Sequence, residues 1–184
     1  MTRIIAGKAG SLRLKAAASP TRPTSDRVKE SLFAKLESMD AIDDAVVLDL
    51  FAGTGALAFE ALSRGAKEAH LVDKDKQALA VCAANFEIVK KAIPEAKVEI
   101  KQGSATAFLK NCGKAFDLVF IDPPYDFENQ QLADLLTDLR ANLSANSLVV
   151  LERSTRTPAQ QFEGFDVLQD LSYGDTRIFI LALA

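Results

Sequence analysis

The chain has 184 residues, 48% of them hydrophobic, and a formal net charge of −3, which is enough to bury one sizeable core and suits a single domain with a short appendage. No apolar run is long enough to span a bilayer and the first residues carry no secretory pattern, so no membrane partner is expected and a cytoplasmic location is. Cys82, Cys112 and the lone His70 lack metal or redox spacing, so reduced thiols, a structural histidine and no metal are expected.

The charge is uneven. Residues 1–30 hold Arg3, Lys8, Arg13, Lys15, Arg22, Arg27 and Lys29 against Asp26 and Glu30, a local +5 that leaves −8 for the rest. A basic arm on an acidic body fits a localised polyanion contact, although a solvated basic tail has the same composition.

Residues 3–17 predict a β-hairpin around the turn-rich Gly7-Lys8-Ala9-Gly10-Ser11. Alternation puts Leu12 and Leu14 on one face, Arg13 and Lys15 on the other. Ser19 to Pro23 reads as a linker, so the chain divides into an arm, 1–23, and a main domain, 24–184. Deleting residues 1–18 is then expected to leave a folded domain. Thr24 or Ser25 can cap a helix carrying Val28, Leu32 and Leu36. A strand over 45–50 leads through a glycine turn into a helix ending near Gly65. Strands follow at 68–73, 97–101, 116–121 and 148–151, separated by helices over 76–91, about 105–110 and 128–142. Two last strands, near 165–171 and 177–183, flank Tyr173-Gly174-Asp175. Alternating strands and helices predict an α/β, Rossmann-like, mostly parallel seven-stranded sheet with helices on both faces. The short final connection requires an antiparallel C-terminal hairpin.

Two stretches carry chemistry. The first is Asp49-x-Phe51-x-Gly53-x-Gly55, where glycines let a ligand approach the backbone closely. Asp73 ends the next strand and can accept two ribose hydroxyls; a helix cap is the alternative role. With Ala58 and an acid some way on, the same turn also suits a dinucleotide. Asp49 would repel a pyrophosphate, however, and hydride transfer has no use for the second stretch. Phe51 can line the pocket or simply pack in the core.

The second stretch is Asp122-Pro123-Pro124-Tyr125. Two prolines cannot continue a strand ladder, so the chain leaves the sheet at Asp122. That sets a carboxylate, a stiff turn and an aromatic ring at the carboxyl end of a strand, where open α/β sheets bind ligands. A plain strand-to-loop turn has the same composition.

These motifs resemble known enzymes. Asp122 to Tyr125 resembles the signature of methyltransferases that modify an exocyclic amino group of a base, and Asp49 to Gly55 resembles the first motif of class I S-adenosylmethionine-dependent methyltransferases. Arg3 to Lys8, Arg22 to Phe33, Leu48 to Leu57, Glu60 to Ala66 and Tyr173-Gly174 extend the likeness to nearly the whole chain, which is identified as similar to bacterial RsmD-type enzymes. Those methylate the N2 amine of one guanine in 16S ribosomal RNA. The resemblance implies S-adenosylmethionine as donor, S-adenosylhomocysteine as product, and 16S rRNA in a partly or fully assembled 30S particle as partner of a monomer.

By the same resemblance, Asp49, Phe51, Gly53, Gly55, Asp73, Lys74, Ser104, Ala105 and Asp122 hold the cofactor. Asp122, Pro123, Pro124 and Tyr125 form the catalytic turn, and the segment from Pro23 to Arg27 borders it. Asp73 stands where the family often has glutamate. Arg3, Lys8, Arg13, Lys15, Arg22, Arg27 and Lys29 are the candidate RNA contacts. DNA and protein-glutamine methyltransferases also use Asp-Pro-Pro-Tyr. A DNA enzyme usually needs a recognition domain for which this length leaves no room, and the glutamine enzymes more often carry Asn at the position of Asp122. A non-catalytic RNA-binding module would not need both pockets.

Overall fold

The computed structural model describes residues 2–16, 25–158 and 160–184. Its frame is a seven-stranded sheet in the order β5-β4-β3-β6-β7-β9-β8. The strands are β3 (Val46–Asp49), β4 (Glu68–Asp73), β5 (Lys97–Gln102), β6 (Phe116–Ile121), β7 (Leu143–Ser154), β8 (Phe165–Tyr173) and β9 (Thr176–Leu183). β3 to β7 pair in parallel, whereas β9 runs antiparallel to both β7 and β8. The order reverses beside β3, with β4 on one flank and β6 on the other. Such a switch point opens a crevice outside the carboxyl ends of the strands.

Among the described residues, five α-helices complete the layers: α1 (Asp26–Ser38), α2 (Ala56–Ser63), α3 (Lys76–Val89), α4 (Ala105–Cys112) and α5 (Asn129–Leu139). Ser25 caps α1, its Oγ accepting from Val28 N at 3.3 Å; Thr24 lies outside the described residues. The two sheet faces bury separate cores. One gathers Leu32, Phe33 and Leu36 of α1 with Phe59, Phe120, Val150 and Ile178. The other gathers Leu132, Leu135, Leu136 and Leu139 of α5 with Val119, Ile121 and Val149. The central strands are therefore apolar on both sides, as parallel strands under two helix layers must be. β7 is longer than its apolar stretch predicts, because pairing with β9 carries it out to Ser154.

The N-terminal hairpin has only two-residue strands, β1 (Thr2–Arg3) and β2 (Arg13–Leu14). It is not a detached arm. Ile4, Ala9 and Leu14 are buried in the α1-side core. Glu60 of α2, itself fully buried, accepts from Ile5 N at 2.7 Å and Ala6 N at 3.1 Å. Ser63 Oγ accepts from Ala9 N at 2.9 Å. Gly7 is required here: at φ +81, a Cβ would lie 1.9 Å from the Ser63 carbonyl oxygen. A hairpin sealed to α2 in this way belongs to the core, and the expectation that it can be deleted without loss of fold is withdrawn. Its charged face is as predicted, with Arg13 and Lys15 exposed and Leu14 buried. The linker reading of Ser19 to Pro23 falls outside the described residues.

Candidate active site

The glycine turn is suspended between the two neighbours of β3. Leu50 N donates to Phe120 O at 3.1 Å and Ala52 N to Val72 O at 3.0 Å. Gly53 and Gly55 both take positive φ, +51 and +81, but for different reasons. A Cβ on Gly55 would meet the Phe59 ring at 2.4 Å and Cys82 Sγ at 3.0 Å, so Gly55 is fixed by packing. A Cβ on Gly53 would meet nothing nearer than the Phe51 carbonyl at 4.0 Å, so Gly53 faces open space.

Asp49 ends β3 beneath this turn and is only 2% exposed. Burial, then the nearby Asp73 carboxylate, pushes its pKa up to about 7, opposed by backbone N–H groups of Phe51 and Ala58. A buried carboxylate next to a second carboxylate favours a positively charged ligand. Asp73 is half-buried at the end of β4. Its Oδ2 accepts from Gly53 N at 2.8 Å and its Oδ1 from Asp75 N at 2.9 Å, leaving one lone pair on each oxygen. The cap of α3 is Asp75, which accepts from Gln77 N, so Asp73 is not the helix cap. Lys74 is exposed beside it. Ser104 caps α4 by accepting from Ala107 N at 3.2 Å, with Ala105 in the first turn.

On the other side of β3, Asp122 follows the last residue of β6. Solvent reaches it within the crevice. Even so, its pKa stands well above the usual carboxylate range, through desolvation by the surrounding protein and then through the charges of Glu152 and Asp49. Pro123 is buried, and Phe127 N closes the turn by donating to Pro124 O at 2.9 Å. Tyr125 is 80% exposed, in contrast to the many fully buried aromatics of the two cores. The two motifs meet through rings: Phe51 stands edge-on to Phe127 with centroids 5.4 Å apart. Phe51 therefore bridges the glycine turn and the proline turn as well as packing on the α5-side core.

A cleft of about 730 Å³ opens beside Tyr125, lined among others by Phe127, Asn129, Arg153, Arg156 and Asp175. Arg153 Nη2 donates to Phe127 O at 2.8 Å and to Asn129 Oδ1 at 3.1 Å. Arg156 is almost fully exposed, with Asp175 3.7 Å away. Sequence reasoning missed Glu152, Arg153 and Arg156. The signal for them was the carboxyl end of β7, beside the strand that leads into Asp122.

The basic candidates are not equivalent. Arg13, Lys15 and Arg27 are exposed. Arg3 pairs with Asp26 at 3.0 Å and Lys8 with Glu95 at 2.7 Å, both on the surface. Lys29 is corrected. It is 1% exposed, its ammonium bonds the Arg3 carbonyl and lies 3.8 Å from Glu60, and it cannot reach a polyanion. Helical spacing placed it on the inner face of α1, one turn before Leu32 and Phe33. Arg22 lies outside the described residues.

A seven-stranded sheet in this order, with a glycine turn after the central strand and a proline turn after its neighbour, defines a class I methyltransferase. The family model described as Conserved hypothetical protein 95 matches residues 2–182. The chain belongs to that family and is an RsmD-type methyltransferase. It is 37% identical over 155 residues to the ribosomal RNA small subunit methyltransferase D of Haemophilus influenzae, covering 83% of this chain and 78% of that one. It is 34% identical to YlbH of Bacillus subtilis over 97% of each chain. The solved structure of yhhF from Escherichia coli superposes with a TM-score of 0.85 at 29% identity, covering 99% of this chain and 97% of that one. Among the described residues, no helix is long and apolar enough to cross a membrane, and no group of three or more His, Cys, Asp or Glu could hold a metal ion.

Proposed function

We propose that the chain transfers a methyl group from S-adenosylmethionine to the exocyclic N2 amine of one guanine in 16S ribosomal RNA. The reading that the relative's name carries, small-subunit rRNA, agrees with the exposed basic residues of the hairpin and of α1. The observation that bears most weight is the pairing, across β3, of an open acidic pocket with the Asp122 to Tyr125 turn.

The pocket fits the donor. Asp49 suits an ammonium, the free lone pairs of Asp73 suit a ribose diol, and the open space above Gly53 admits a ligand against the backbone. Lys74, Ser104 and the Ala105 backbone border the adenine end. When bound, the donor supplies a methyl group on a sulfonium that departs as a neutral thioether, so neither a metal nor a strong base is needed.

The protein's task is to position the acceptor. The lone pair of an exocyclic amine is delocalised into the ring and must be turned towards the methyl carbon. Asp122 accepts one amine hydrogen and the Pro123 carbonyl, its direction fixed by the prolines, accepts the other. Tyr125, exposed and beside the 730 Å³ cleft, stacks on the base. As nitrogen gains the methyl carbon it loses one hydrogen, which Asp122 takes as a proton and passes to water. A base in folded RNA reaches this turn only when unstacked. Arg13, Lys15, Arg22 and Arg27, with Arg3 and Lys8 at the rim, hold phosphates and so position the RNA without reading its sequence. In this reading the protein works as a cytoplasmic monomer, on a partly or fully assembled 30S particle.

The test is labelled methyl transfer to small-subunit particles lacking the modification, with the product nucleoside mapped. A label in N2-methylguanosine at one position is expected. A label only in DNA or in protein glutamine overturns the reading.

A further inference from the structure

A second carboxylate stands beside Asp122. β6 and β7 run in parallel with Ile121 opposite Leu151, so the next pair outward at the carboxyl edge is Asp122 and Glu152. Strand alternation puts Asp122 on the face of Phe120 and Glu152 on the face of Val150, and both of those residues lie in the core beneath α1. The two acids therefore leave the sheet on the same side. Glu152 is half-buried and braced from β9, where Ile178 is its cross-strand partner and Thr176 Oγ1 donates to its Oε1 at 3.4 Å. Its charge acts on Asp122 directly.

We propose that Glu152 determines which base is methylated: its carboxylate accepts the N1–H of the target guanine while Asp122 accepts from the adjacent N2 amine. This rests on the guanine-N2 reading above. Carboxylates only accept hydrogen bonds when ionised. Guanine offers them N1–H and N2–H₂ side by side, donors throughout. Adenine and cytosine offer an amine next to a bare ring nitrogen, which would set that nitrogen's lone pair against those of the Glu152 carboxylate. Asp122 and the prolines suit any exocyclic amine. The neighbouring carboxylate narrows the choice to an edge with a second donor.

The test uses the full chain, S-adenosylmethionine and small-subunit RNA whose mapped target guanine is replaced by 2-aminopurine. That base keeps the 2-amine and lacks N1–H. The wild type is expected to favour guanine by roughly ten- to hundredfold in kcat/KM, the worth of a good base contact. Glu152→Gln, whose amide can donate to a bare N1, is expected to shrink that preference about tenfold. Comparing the two ratios cancels effects common to both enzymes, including the missing O6. An unchanged ratio in the variant overturns the proposal. Should that variant fail to fold, Glu152→Ala takes its place, with the same shrinkage of the ratio expected and an unchanged ratio overturning the proposal. Failure of the wild type to methylate guanine N2 at all is a separate result, which removes the parent reading and this one together.

Discussion

Replacing Asp49 with Asn should change the pH dependence of stability and the binding of the donor together. Asp49 is buried, and its pKa rises from the usual 3.8 to about 7 in the folded chain. The folded state then holds a proton that the unfolded chain has released between about pH 4 and 7. The stability this group contributes is fully present below about pH 4 and is lost as pH rises through 7. At roughly 1.4 kcal/mol per pH unit, the whole swing is on the order of 4 kcal/mol, an upper bound because part of the shift comes from the neighbouring Asp73 charge. For a chain of this size, each kcal/mol is worth about 2–4 °C in Tm. The ligand-free wild type should therefore lose roughly 5–10 °C between pH 5 and 8 through this group. Asp49→Asn should flatten that slope, and its amide should weaken S-adenosylmethionine binding by at least about tenfold, since a neutral group no longer faces the ammonium. Binding by the wild type near pH 6.5 should also release protons, seen as a buffer-dependent heat in calorimetry, and the variant should not. Thermal melts across pH decide the matter. An equal slope in both proteins would refute the assignment, and a wild type that gains stability from pH 5 to 8 in parallel with the variant would show the sign to be wrong.

Asp122→Ala should lower single-turnover methyl transfer by at least about a hundredfold while donor affinity stays within a few-fold, because the lost acceptor acts in the transition state; near-normal turnover would remove Asp122 from the chemistry. Asp73→Ala should do the reverse, weakening donor binding by roughly one to two decades in calorimetry with less effect on kcat at saturation. Lys29→Ala should destabilise the chain by about 1–3 kcal/mol in denaturant melts, because it removes the ammonium that bonds the Arg3 carbonyl and faces the fully buried Glu60, which keeps Arg64 and the Ile5 and Ala6 N–H groups; an unchanged midpoint would mean that Lys29 adds nothing to that cluster. Charge reversal of exposed Arg13 and Lys15 should lower the slope of log K for RNA against log salt by about one for each phosphate no longer neutralised, with Tm unchanged; an unaltered slope would assign RNA binding to other residues.

The sheet was legible because its signals are local. Buried parallel strands such as Phe116 to Ile121 read as apolar runs, and prolines or glycines mark where each ends, so the strand–turn–helix order could be written down before any packing was known. The glycine and proline turns were legible for the same reason. What escaped were facts of tertiary distance. Glu60 looks like one more helical acid in sequence, yet it is the buried point at which two hairpin N–H groups, Arg64 and Lys29 converge. Nothing nearer than 50 residues along the chain announces the hairpin's share in it. The same distance hid a second link. Asn85, fully buried on α3, accepts from Lys15 N at 2.7 Å and donates to Thr54 O at 3.0 Å, which ties the end of the hairpin to the glycine turn. Counting charges made residues 1–30 look like a polyanion-binding tail attached to an independent domain. The hydrogen bonds of Ile5, Ala6, Ala9 and Lys15 make the described part of the hairpin a support of α2 and of the glycine turn, with Arg13 and Lys15 facing outward. An RNA that grips Arg13 or Lys15 therefore pulls on a backbone one side chain away from Thr54, so the hairpin cannot be both a mobile arm and the support of that turn.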